Sequence, residues 1–87
     1  MHKPESYLLN LGLDLKGARK RRRWTLTLVH QRLECSVQTI QRMEKGDPAV
    51  GMGRYLGYIH LLGLSLEELD DSEQIRRQVL GQSPQPE

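Results

Sequence analysis

The chain has no phenylalanine, a single cysteine, and only 5% aromatic residues. A core without aromatic bulk has to rest mainly on Leu, Ile, Val and Met. One thiol, Cys35, excludes an internal disulfide framework and any cysteine-based zinc cluster. His2, His30 and His60 have no metal-ligand spacing, so no metal is expected. No apolar run approaches the ~20 residues that span a bilayer, and no secretory signal is visible, so the expectation is a cytoplasmic protein without membrane contact. Paired carboxylates in a cleft, a Ser/His/Asp or Cys/His set and a phosphate-binding glycine loop are all missing. Neither an enzyme nor a cofactor is therefore expected, and Cys35 reads as a small apolar residue in a helix turn.

What is present is a short chain with lopsided charge. Eighty-seven residues make one domain with a small core, a size at which dimerisation often adds stability. Net charge is +2, but residues 1–54 carry eleven Lys/Arg against five Asp/Glu, and residues 55–87 carry two against six. A basic front half suits a polyanion. The acidic rear half, with Glu67, Glu68, Asp70, Asp71 and Glu73, suits either a basic partner or simple solubility.

The pattern is helical throughout, with no strand signal and no internal repeat, so the fold class is all-α. Residues 1–4 read as a flexible arm, 5–81 as the domain and 82–87 as a disordered tail. Leu8, Leu11, Leu15 and Ala18 trace one face of a first helix from about Glu5 to Arg23. Gly12 and Gly17 weaken it by roughly 1 kcal/mol each relative to Ala, so packing must hold it. Thr25 is an N-cap for a second helix over Leu26 to Leu33, Glu34-Cys35 is the turn, and Ser36 caps a third helix over Val37 to Lys45. Gly46 closes that helix and Asp47-Pro48 prevents its continuation. Met52 to Leu62 reads as a fourth helix with more apolar residues than one face needs. Ser65-Leu66-Glu67-Glu68 is a capping box for a fifth. A last stretch over Ser72 to Leu80 is a candidate sixth.

Two short helices joined by a tight turn, preceded by the basic run Arg19 to Arg23, have the layout of a helix-turn-helix whose second helix enters a DNA major groove. Val37, Gln38, Gln41 and Arg42 lie on its outward face and are the candidate base readers. Gln matches the adenine edge, Arg matches guanine, and Val can touch a thymine methyl. Arg22, Arg23, Thr25, Thr27, Arg32, Ser36, Lys45 and Arg54 are the candidate phosphate contacts, which set affinity and register rather than sequence. The start of the fourth helix, with Gly51 and Gly53, can offer backbone N–H groups to a phosphate. Any one of these side chains could instead be merely solvated; the combination of turn, caps, buried face and basic run carries the reading. Arg19 and Glu44 close their helices at the same end of the pair and are expected to form a partly buried ion pair. Trp24 is expected to plug the core. Tyr58, Leu61, Leu66 and Leu69 are the candidate dimer surface.

From about Asp14 to Leu69 the sequence resembles the Xre/Cro family of helix-turn-helix regulators, the group of the phage 434 and lambda repressors. Lys16-Gly-Ala-Arg19, Trp24-Thr-Leu26, Ser36-Val-Gln-Thr-Ile40, Glu44-Lys-Gly46 and Leu62-Gly-Leu64 carry the resemblance. It implies a lambda-repressor-like domain of five or six helices, an Arg–Glu pair at Arg19 and Glu44, and base readers at Val37, Gln38 and Arg42. The string from Arg42 to Val50, with Gly53-Arg-Tyr and Leu61-Leu-Gly-Leu64, resembles HipB-type antitoxins encoded beside HipA-type kinase toxins. That likeness implies an operon autorepressor that also binds a kinase-like toxin, and the leading expectation is a homodimer on palindromic double-stranded DNA. Two positions depart from the family: His30 stands where Ala is usual, and Glu34 where Gly is usual at the turn. Leu26 replaces a common Gln and is expected to pack inward. The competing expectation is a protein-interaction module on the same fold that does not act through DNA.

Overall fold

A computed structural model describes residues 4–65, which form four helices and no strand. They are α1 (Pro4–Arg21), α2 (Leu26–Leu33), α3 (Val37–Glu44) and α4 (Met52–Leu62). α2 and α4 occupy the expected residues, and α3 stops one residue earlier than expected. α1 begins at Pro4, which suits proline because the first helical N–H has no partner inside the helix. It ends at Arg21 instead of Arg23. The expected fifth and sixth helices, the tail and most of the arm lie outside the described residues.

One core joins all four helices. Leu11, Leu15 and Ala18 of α1, Val29 of α2, Ile40 and Met43 of α3, and Tyr55, Tyr58, Ile59 and Leu62 of α4 are buried. Trp24, Leu26 and Leu33 pack half-buried against its edge, as expected for Trp24 and Leu26. The apolar surplus of α4 is largely absorbed by this core, leaving Leu56 as its one exposed large apolar residue. Tyr58 is a correction: expected on a dimer surface, it is completely buried. In a chain without phenylalanine the rings of Tyr55 and Tyr58 supply the missing core bulk, and each hydroxyl then needs a buried acceptor. Tyr55 Oη donates to the Asp47 carbonyl at 2.8 Å, and Tyr58 Oη donates to Glu44 Oε2 at 2.5 Å.

The glycines of α1 turn out to differ in kind. A Cβ on Gly12 would lie 2.6 Å from the Glu44 carbonyl oxygen and 2.7 Å from that of Met43. Gly12 therefore permits backbone contact between α1 and the end of α3, where helix propensity alone shows only a cost. Gly46 meets α1 from the other side: its φ is +74°, and a Cβ there would lie 2.5 Å from the Leu8 carbonyl oxygen. The C-terminus of α3 is thus seated directly on α1. Gly17 is looser, with only the mobile Arg21 side chain near it, at 3.3 Å.

Every described helix ends in the same way. A residue one or two positions beyond the helix turns left-handed, and the next N–H bonds back to the carbonyl five residues earlier: Trp24 to Arg19, Cys35 to His30, Asp47 to Arg42, Leu64 to Ile59. This is the Schellman closure. Glycine occupies the left-handed position after α3 and α4. Arg23 and Glu34, with φ of 59° and 55°, occupy it after α1 and α2. The positive φ at Glu34 is the geometry the sequence implied for a turn that usually holds Gly.

Candidate nucleic-acid interface

α2 and α3 form the helix pair that the sequence outlined. Thr25 and Ser36 are extended N-caps whose hydroxyls accept hydrogen bonds from the N–H groups of Leu28 (3.0 Å) and Thr39 (3.1 Å). The turn carries a contact that sequence reasoning missed. His30 Nδ1 lies 3.0 Å from the Cys35 carbonyl oxygen, which can accept a hydrogen bond from the ring. The backbone N–H of Cys35 bonds back to the His30 carbonyl at 3.2 Å. His30 and Glu34, the two departures from the family, thus belong to one turn. The side chain of the first fastens a corner that the second holds without glycine.

The back of α3 is fixed. Ile40 and Met43 are fully buried, and Glu44 is 8% exposed. Glu44 accepts two hydrogen bonds from one guanidinium, Arg19 Nε to Oε2 at 2.7 Å and Nη2 to Oε1 at 3.1 Å. Arg19 Nη1 also donates to the Trp24 carbonyl at 3.0 Å. The expected ion pair is therefore present, and it extends to Tyr58, which the sequence reading had placed elsewhere. The hydrogen bond to Glu44 pushes the Arg19 pKa up against the opposing effect of burial. Burial first, then the hydrogen bond to and the charge of Glu44, hold the Tyr58 phenol far above its ordinary range. Tyr58 therefore stays protonated and acts as a donor only.

With its back locked, α3 presents Gln38, Gln41, Arg42 and the following Lys45 to solvent. Val37, expected beside them, is half-buried. The separation follows from helical period: 40, 43 and 44 share one face, while 38, 41, 42 and 45 share the other. Arg23, Thr25, Thr27, Arg32, Ser36 and Arg54 are exposed. Arg22 is exposed too, but its guanidinium is engaged within the fold. It donates to the carbonyls of Ala18 (3.0 Å) and Leu62 (2.6 Å) and lies 5.8 Å from the centre of the Trp24 ring. Those bonds tie the ends of α1 and α4 together.

α4 begins at Gly51, which has no side chain to cap the first turn, and no acidic residue stands in that turn. Its first N–H groups and the positive end of its dipole are open to an anion. Among the described residues no group of His, Cys, Asp and Glu is placed to hold a metal ion, and no helix is long and apolar enough to cross a membrane.

A basic, capped helix pair with a locked back and a polar outward face is the arrangement of a known family, helix-turn-helix domains, whose signature matches residues 10–71. The chain belongs to the helix-turn-helix domain family. The match supports the Xre-like character seen in the sequence and a role as a DNA-binding regulator, and proteins of such families are typically not enzymes. Searches among curated proteins and among solved structures return no match. In this helix-turn-helix domain the readers expected at Gln38, Gln41 and Arg42 stand together on one open face. Of the expected dimer surface, Leu61 is half-buried, while Leu66 and Leu69 lie outside the described residues.

Proposed function

We propose that this helix-turn-helix domain is a sequence-specific transcriptional regulator that binds a palindromic operator as a homodimer. Gln38, Gln41 and Arg42 read base edges, and Val37 adds an apolar contact at the start of the helix. The observation that carries the reading is the fixed, exposed face of α3: Glu44 is clamped by Arg19 and Tyr58, while Gln38, Gln41, Arg42 and Lys45 stay open. A recognition helix has to be rigid behind and polar in front. Arg23, Thr25, Thr27, Arg32, Ser36, Lys45, Arg54 and the open start of α4 hold phosphates. Arg22 is assigned instead to the fold, because its guanidinium joins α1 to α4.

The resemblance to HipB-type antitoxins supports a finer reading: an autorepressor that also binds a kinase-like toxin. Its dimer surface includes Leu61, with Leu66 and Leu69 beyond the described chain, and excludes Tyr58.

Fluorescence anisotropy on the chain's own upstream DNA, against a scrambled duplex at two salt concentrations, tests the core of the proposal. Gln38→Ala is expected to cost about 1–3 kcal/mol on the cognate site and little on the scrambled one. Lys45→Ala is expected to weaken both and to lower the salt slope by about 1. Equal, weak binding of the wild type to both duplexes would overturn the proposal and leave only a basic surface.

A further inference from the structure

Behind the recognition helix lies a cleft of about 180 Å³, lined by Leu33, Cys35, Met43, Gly53, Arg54 and Gly57, whose apolar interior the DNA-binding reading does not use. It opens between the α2–α3 turn and the first half of α4. Two glycines create the space: a Cβ on Gly57 would stand 3.9 Å from Leu33 Cδ2, and one on Gly53 would meet nothing. The walls are the apolar side chains of Leu33 and Met43, with the free thiol of Cys35 beside them. The single charge among the lining residues is the Arg54 guanidinium, and no carboxylate lines the cleft.

We infer that this cleft is a binding site for a small monocarboxylic acid with an apolar ring or branched body. Size sets the body, since a cavity of about 150 Å³ holds a benzene ring. The thioether of Met43 is a soft, favourable neighbour for an aromatic ring. Charge sets the head group. A carboxylate at the rim meets Arg54, which can bind it through two parallel N–H groups. It also meets the first turn of α4, where no side chain caps the N–H groups and no acid competes. A larger dianion would leave charge against Leu33 and Met43, and a neutral ligand would leave Arg54 unused. On the DNA-binding reading Arg54 also serves a phosphate, so an acid in the cleft would compete with the operator and act as an effector.

The lone cysteine makes the site measurable without DNA, so the inference stands or falls separately from the DNA-binding proposal. The experiment follows the alkylation rate of Cys35 by N-ethylmaleimide in the full chain at fixed pH and ionic strength. Benzoate is the probe, benzyl alcohol matches its size without the charge, and acetate matches its charge without the ring. At about 5 mM benzoate a roughly threefold slowing is expected, from the factor 1 + [L]/Kd at a Kd of about 2.5 mM. Benzyl alcohol and acetate should slow the reaction far less. Arg54→Gln should reduce benzoate to the level of benzyl alcohol, and Gly57→Val, which fills the cleft, should abolish its protection while the helical circular dichroism persists. Undiminished alkylation at about 20 mM benzoate would overturn the inference. So would equal protection by benzyl alcohol, or benzoate protection that survives in Gly57→Val.

Discussion

Replacing Arg19 by alanine removes the only cation that holds Glu44 among the described residues. The carboxylate is 8% exposed and would keep one strong donor, the hydroxyl of Tyr58, in place of three. Stripping one partner from a buried pair costs about 3–5 kcal/mol. The bond from Arg19 to the Trp24 carbonyl is lost as well. A domain of this size has a total stability of roughly 4–13 kcal/mol, so the loss is about a quarter of it or more. At 4–8 °C per kcal/mol, the melting temperature is expected to fall by roughly 12–40 °C. The assay is thermal unfolding by circular dichroism, with operator affinity measured well below the transition. A fall of less than about 4 °C would refute the reasoning, because it would mean that water reaches the carboxylate as easily as arginine does. The replacement Arg19→Met with Glu44→Leu and Tyr58→Phe is the internal check. It removes every charge at once and should recover most of the stability, since the penalty belongs to the orphaned carboxylate and not to the missing pair.

Gly12→Ala should destabilise by about 2 kcal/mol although Ala is the better helix former, because two backbone carbonyls occupy the place of its Cβ. Gly17→Ala in the same helix should be neutral or stabilising by up to about 1 kcal/mol, and urea unfolding of the two variants checks the contrast. Glu34→Gly should raise stability by about 1 kcal/mol in the same assay by relieving the left-handed backbone. Above pH 10 the melting temperature should drop steeply. Burial and the charge of Asp47 push Tyr55 up to about 12, and Tyr58 is raised further still, so the folded chain holds two protons that the unfolded chain releases near pH 10. Stability from both groups is therefore fully present below pH 10, and it declines by roughly 1.4 kcal/mol per pH unit for each tyrosine above it. Tyr58→Phe should show a shallower decline from a lower starting point.

The helix pair was legible in the sequence because local rules govern it. Thr25 and Ser36 cap their helices through side chains three residues from the N–H they serve, and Gly46 closes α3 because only the left-handed region completes that turn. Period alone separated Ile40 and Met43 from Gln38 and Arg42. What escaped reading depends on parts of the chain far apart in sequence. Gly12 looked like a weak point because its reason, the carbonyls of Met43 and Glu44, lies some thirty residues away. Tyr58 looked like surplus surface because its partner is a carboxylate already assigned to Arg19. The absence of phenylalanine was the available clue: with so few rings, a tyrosine between Tyr55 and Leu62 belongs in the core. The engagement of Arg22 escaped for a similar reason, since a run of five cations does not reveal that Arg22, besides Arg19, bonds within the fold.

The two non-glycine closures, at Arg23 and Glu34, stand at the two ends of α2. A glycine there would rest without strain but could also wander over a wide range of backbone angles. A residue with a Cβ has only a small left-handed basin, and its walls are steep. Each joint therefore sits higher in energy and swings less. α2 is held between two stiff elbows, one of them pinned again by the ring of His30, and the direction in which α3 points inherits that narrow spread. Such a head meets the double helix as a rigid template, so the adjustment that completes the fit falls to the bending and twisting of the DNA.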